Sequence, residues 1–107
     1  MNAELLTIPG CPHAAPALEL FSTALELEGI GVSVTVREIS TEDQATAQSF
    51  RGSPTFTLNG ADLFPSDADP AVTCRVYPTP DGLSGQPTLD TLRRSLQSML
   101  PSAGTSA

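Results

Sequence analysis

Pro16 is the residue that most restricts what this chain can fold into. It stands near the head of a run whose apolar positions recur at helical spacing: Leu18, Phe21 and Leu25 form one stripe, and Leu20, Ala24 and Leu27 widen it. Proline has no N–H to give to a helix interior and clashes with the preceding turn, so it is tolerated only in the first turn. The helix therefore starts at His13 or Ala14 and runs to about Glu28, with Gly29 where a glycine cap belongs. Cys11 falls just ahead of it. Upstream, Glu4 to Ile8 is a short apolar run closed by Pro9-Gly10, which reads as a buried strand. Downstream, Val32 to Ile39 (VSVTVREI) alternates β-branched and polar residues, a second strand. Two strands joined by a helix pair in parallel, through a right-handed crossover.

The remaining segments continue the alternation. Thr41 and Gln44 have the spacing of a capping box, so a short second helix opens near Ser40 and ends before Arg51-Gly52. Thr55 to Leu58 is a strand, Asn59-Gly60 a hairpin turn, and Asp62-Leu63-Phe64 the expected return strand. Pro65 to Pro70 is a loop. Ala71 to Tyr77 (AVTCRVY) reads as a further strand and Pro78 to Pro87 as a loop. A last helix spans about Thr88 to Leu100, burying Leu89, Leu92, Leu96 and Met99. The sum is an α/β sandwich, a mixed sheet of about four strands flanked by three helices. It is one domain over residues 1–100, with a disordered tail, PSAGTSA, from Pro101 to Ala107.

Charge and composition narrow the function. Twelve acidic residues against five basic ones leave a net charge of −7. That surface repels phosphate backbones and anionic lipid, so neither a nucleic acid nor a membrane is an expected partner. No apolar segment approaches the roughly 20 residues of a membrane span, and MNAELLTIPG has no basic n-region. A cytoplasmic location is expected. Two cysteines far apart in sequence are not a disulfide framework. A single histidine excludes most multi-histidine metal sites, and no phosphate-binding glycine loop is present. No cofactor is expected.

Taken in order, these features match a family. Strand, Cys-Pro-x-x at a helix start, βα unit, Ser53-Pro54-Thr55 entering a hairpin, closing helix: the pattern βαβαββα resembles the thioredoxin fold. A narrower resemblance covers nearly the whole chain. "GCPHA", "GSPTFTLNGADLF", "CRVYPTPDGLSGQP" and the Leu-rich last helix are similar to small actinobacterial thioredoxin-like proteins often labelled as related to organomercurial (alkylmercury) lyase. The resemblance implies that Cys11-Pro12-His13-Ala14 stands where the family keeps Cys-x-x-Cys. It also implies that Ser53-Pro54-Thr55 is a cis-proline loop facing the cysteine. By base rate an X–Pro bond is trans, with only about 5–6 % cis in folded proteins; the resemblance reverses that expectation at Pro54. A cis-proline there implies a Ser53 backbone edge left open to an extended partner.

The thiolate is the reactive form of cysteine, and a position just before a helix turns N–H groups and the positive dipole end toward the sulfur. Cys11 is therefore the expected nucleophile, tuned by a protonated His13, with Pro12, Ser53, Pro54 and Thr55 positioning the partner. The alternative for Cys11 is a small buried filler, and for His13 an exposed turn residue. Ala14 in place of the second cysteine leaves three chemistries open. Cys11 acts alone, as a monothiol forming mixed disulfides with a small thiol or a thiol-bearing protein. Or Cys74 resolves it, which needs Cα atoms within about 7 Å. Or Cys11 and Cys74 together grip a soft metal such as Hg(II) or Cu(I). The resemblance to the lyases implies a proton-donating aspartate three residues after the first cysteine; Ala14 occupies that position. Asp62, Asp67 and Asp69 read as solvated loop acids, Arg75 as a surface cation, and Arg93 and Arg94 as the exposed face of the last helix. The expected function is monothiol thiol–disulfide exchange, with a non-catalytic binding module and soft-metal or organomercurial binding as the alternatives.

Overall fold

The structure is a computed structural model and describes residues 2–64, 70–73 and 75–99. Asp67, Asp69, Cys74, Leu100 and the tail from Pro101 to Ala107 lie outside the described residues. Among the described residues six strands and three helices follow in the order β1 (Ala3–Thr7), α1 (Ala14–Leu27), β2 (Val34–Glu38), α2 (Glu42–Gln48), β3 (Thr55–Leu58), β4 (Ala61–Asp62), β5 (Tyr77–Thr79), β6 (Gly82–Ser84) and α3 (Leu89–Met99). The first four strands form one mixed sheet in the order β2-β1-β3-β4. β1 is parallel to β2 and antiparallel to β3, and β3 is antiparallel to β4. The chain is thus a mixed α/β fold with a four-stranded sheet and three helices.

β1 lies inside the sheet and is buried on both faces, as its near-continuous apolar run requires. Its alternation sorts the core into two clusters. Ala3 and Leu5 pack with Phe21 and Leu25 of α1, Leu92 and Leu96 of α3, and Phe56 and Leu58 of β3. Leu6 packs on the other face with Ile39, Ala45 of α2 and Phe50. Aromatic rings tie the first cluster together. Phe56 meets Phe21 edge-on at 5.3 Å, and Phe64 meets Tyr77 edge-on at 5.2 Å.

The local signals that fix helix ends act as their chemistry dictates. α1 starts at Ala14, which puts Pro16 in its first turn. Thr41 and Gln44 make the reciprocal capping box, with Gln44 N donating to Thr41 Oγ1 at 3.1 Å and Thr41 N donating to Gln44 Oε1 at 3.2 Å.

Four expectations about the elements fail, and Met99, expected on the buried face of α3, is 40 % exposed. Val32 to Ile39 contracts to Val34–Glu38 at the sheet edge. The return strand is Ala61–Asp62 rather than Asp62 to Phe64, because the Asp62 carboxylate accepts from Phe64 N at 2.8 Å and turns the chain. Among the described residues of the expected strand Ala71 to Tyr77, none joins the four-stranded sheet, and Tyr77 opens β5. The segment runs beside Phe50 to Ser53 instead, with Ala71 N donating to Phe50 O at 3.0 Å and Ser53 N donating to Thr73 O at 2.8 Å. The expected loop from Pro78 to Pro87 instead contains a second hairpin, β5–β6. Thr79 closes its turn, donating from Oγ1 to Gly82 O and accepting from Asp81 N.

The charged residues also differ from expectation. Arg75 is no surface cation: its side chain is 10 % exposed and pairs with Asp62 at 2.9 Å, so Asp62 is not a solvated loop acid. Arg93 leaves the open face of α3 to bond Glu28 at 2.6 Å, tying α3 to the end of α1. Arg94 remains exposed and pairs with Asp90 along the same helix.

Candidate functional site

Two consecutive turns carry Cys11 from the end of β1 to the start of α1. In the first, Cys11 N donates to Ile8 O at 3.2 Å, with Pro9 at the first corner and Gly10 at φ 72° at the second. That is the geometry of a type II turn, whose second corner needs the positive φ glycine tolerates. In the second, Ala14 N donates to Cys11 O at 3.2 Å. Pro12 takes the first corner and His13 (φ −98°, ψ 0°) the second, as in a type I turn. His13 is the N-cap of α1 and its side chain caps nothing.

The helix starts where the spacing placed it, close behind Cys11. Cys11 sits a full turn ahead of the first helical residue, and its carbonyl is engaged by Ala14. Among the described residues no hydrogen bond reaches its sulfur. Cys11 is a free thiol, partly buried and partly open.

The imidazole of His13 is held from outside its own turn. A β-carbon built on Gly85 would stand 2.2 Å from His13 Nε2, so the ring lies directly on the Gly85 backbone, just past β6. Among the described residues no hydrogen bond joins His13 to Cys11. The segment after β6 therefore walls the cysteine turn, a role its sequence did not signal.

The Ser53-Pro54-Thr55 loop lies beside the same strand end. Ile8 N donates to Ser53 Oγ at 3.1 Å, and Ile8 O accepts from Cys11, so one residue joins the loop to the cysteine turn. The Ser53–Pro54 peptide bond is cis. Thr55 Oγ1 donates to Gly52 O at 2.5 Å, closing the loop on itself. The expected open edge is absent. Ser53 N donates to Thr73 O at 2.8 Å, and Ser53 O accepts from Arg75 N at 3.0 Å. Both main-chain groups are taken by this chain's own residues. Position 74, between them, lies outside the described residues, so the structure places no second thiol.

Arg75 and Tyr77 brace the loop from behind. The Arg75 guanidinium donates to Asp62 Oδ2 at 2.9 Å, to Thr55 Oγ1 at 3.4 Å and to the Phe64 carbonyl, and it lies 4.9 Å over the Tyr77 ring. The Tyr77 hydroxyl donates to the Pro54 carbonyl. Burial pushes the Tyr77 phenol above its ordinary range; the charge of Arg75 offsets part of this and that of Asp62 adds to it. Gly52 makes the close approach feasible. Its φ is 124°, and a β-carbon there would stand 2.7 Å from Arg75 Cβ. Neither Arg75 nor Tyr77 was legible as a site residue, because both fell inside what read as an ordinary alternating strand.

Other features lie elsewhere. A groove of about 570 Å³ runs beside α1, with Glu19, Thr23, Glu26, Ile30 and Val32 among its walls; neither Cys11 nor Ser53 lines it. Among the described residues no group of three or more His, Cys, Asp or Glu side chains is placed to hold a metal ion. No helix among the described residues is long and apolar enough to cross a membrane. Comparison with protein-family models, curated proteins and solved structures gives no match.

Proposed function

We propose that the chain is a thioredoxin-like monothiol protein whose Cys11 exchanges with a small disulfide through a mixed disulfide. The observation that carries this reading is the placement of Cys11: a free, partly open thiol on a hydrogen-bonded double turn, coupled through Ile8 to the braced Ser53 loop. The element order supports it too, with a parallel β1-α1-β2 unit, an antiparallel β3-β4 hairpin and a closing helix.

In the exchange the Cys11 thiolate attacks one sulfur of a disulfide RSSR. The Cys11–SR bond forms as the S–S bond breaks, and RS⁻ leaves and takes a proton from water. A different small thiolate R′S⁻ then attacks the outer sulfur, forming RSSR′ as the Cys11–SR bond breaks and restoring the Cys11 thiolate, so that the net change is RSSR + R′SH to RSSR′ + RSH. His13 is the group that would tune the thiol, and the Ser53-Pro54-Thr55 loop the wall that positions the R group. A small partner suits the site better than an extended polypeptide, because the Ser53 N–H and C=O are already bonded. A reducing compartment such as the cytoplasm suits a free thiol.

The test is the rate at which Cys11 forms a mixed disulfide with a small disulfide in a Cys74→Ser chain, folded and in denaturant. The expected result is one equivalent of adduct on Cys11, formed at least about tenfold faster in the folded chain and reversed by a small thiol. A folded rate equal to or below the denatured rate refutes the reading and makes Cys11 a filler.

A further inference from the structure

β2 is the long open edge of the sheet. Among the described residues its only strand neighbour is β1, whereas the opposite edge, β4, has two residues. Four of the five β2 residues are exposed, including Val36 at 48 %. Protein edges are ordinarily blunted by lysine, proline or a bulge. Val34–Glu38 contains no lysine, proline or glycine; the charge of Arg37 is met by Glu4 at 2.8 Å, and Glu38 at the end of the strand is the one charge it carries that is unmatched among the described residues.

The hydrogen-bonding polarity of this edge can be read from one bond. Ile39 N donates to Thr7 O at 2.7 Å, so Ile39 turns its main-chain groups toward β1. These groups alternate along a strand. Thr35 and Arg37 therefore also face β1, while Val34, Val36 and Glu38 present their N–H and C=O groups outward.

We propose that this edge pairs antiparallel with β2 of a second copy of the chain, about a two-fold axis at Val36, joining the two sheets. Val36 is the midpoint of β2, so this register alone uses the whole strand. Val36 lies opposite Val36 of the second copy, and Val34 lies opposite its Glu38 in both directions. All of these are outward-facing residues, so these pairs are of the doubly hydrogen-bonded kind and alternate with the non-hydrogen-bonded pair of Thr35 and Arg37. A shift of the axis by one residue toward the C-terminus sets Arg37 against Arg37 of the second copy, a repulsive pair.

Side chains agree with the register. Two half-exposed valines meet on one face. On the other, Arg37 lies opposite Thr35 of the second copy. Thr35 in turn lies beside Glu4 in the β1–β2 register, so each arginine stands between two Glu4 carboxylates. Two chains of net charge −7 thus meet with Arg37 matched to Glu4, while Glu38, opposite Val34, leaves one unmatched negative charge on each side. Five paired residues a side bury less than the roughly 1,200 Å² of a standard interface, so the dimer is weak, with a Kd of about 10–100 µM.

The test is sedimentation equilibrium of the reduced full-length chain from about 5 to 500 µM, a range that brackets this Kd. The wild type is expected to rise from the monomer mass toward twice that mass. Val36→Lys and Val36→Glu, each placing like charges across the axis, are expected to weaken association at least about tenfold. An equimolar mixture of the two is expected to regain it, because lysine then faces glutamate. Val36 is half-exposed at an edge, and unchanged circular dichroism of both variants serves as the folding control. A wild type that stays monomeric, variants that associate as the wild type does, or a mixture no stronger than its components each overturn the proposal.

Discussion

Arg75→Ala removes the group that holds the Ser53 loop, the end of β4 and β5 together. The side chains of Arg75 and Asp62 are 10 % and 16 % exposed. Breaking a buried ion pair by deleting one partner costs about 3–5 kcal/mol, chiefly because the other charge is left uncompensated. Here residual solvent reaches the Asp62 carboxylate, which moves the ion-pair loss to about 2 kcal/mol. The Phe64 carbonyl also loses its donor, and the Tyr77 ring its cation, at about 0.5–1 kcal/mol for the latter. The expected total is about 3 kcal/mol. For a chain of this length that is a fall of about 12 °C in Tm. Urea unfolding of Arg75→Ala, Asp62→Ala and the double variant measures it, with an expected coupling of at least about 1 kcal/mol between the two sites. Arg94→Ala is the internal reference. Its pair with Asp90 is 74 % and 73 % exposed, and its loss is expected to cost under about 0.5 kcal/mol. If Arg75→Ala costs no more than Arg94→Ala, Arg75 is a surface cation after all and the brace has no energetic content.

Two further predictions concern pH. Burial raises the Tyr77 phenol, so above about pH 10 the unfolded chain ionises this tyrosine while the folded chain does not. The folded state then binds more protons than the unfolded one, and this contribution to stability is present below that pH and falls as pH rises; Tyr77→Phe is expected to remove that loss in urea titrations at pH 8 and about pH 10.5. Glu28 is held below the ordinary glutamate range, first by its hydrogen bond from Arg93, against the opposing effect of burial, and then by Gln97. Its contribution is present above the unfolded carboxylate range and is lost as pH falls through the lowered folded value, so the stability gap between wild type and Arg93→Gln is expected to be larger at pH 7 than near about pH 3.

Where an element is set by its own residues, it was legible in the sequence. Pro16 confined the start of α1 to the residues just after Cys11, and α1 starts at Ala14. The Thr41–Gln44 pair announced α2, and Asn59-Gly60 announced the hairpin that joins β3 to β4. These signals act over three or four residues, through hydrogen bonds and allowed dihedrals, so the sequence carries them whole. The position of Cys11 at the β1–α1 junction was legible on the same grounds.

Long-range pairing was not. Ala71 to Tyr77 alternates like a strand, and alternation specifies an extended chain but no partner. Its first residues were instead drawn to the main chain of Phe50 to Ser53, which closed the edge expected to stay open. The same docking carried Arg75 inward onto Asp62 and set the Tyr77 hydroxyl on Pro54. Likewise only the fold brought Gly85 under the His13 ring, across most of the chain length. The sequence by itself determined the three helices, the strands β1 to β3 with the turn after β3, and where the thiol sits along the chain. The tertiary structure alone decided what encloses that thiol, because each enclosing contact joins residues far apart in sequence and depends on how the sheet brings their main chains together.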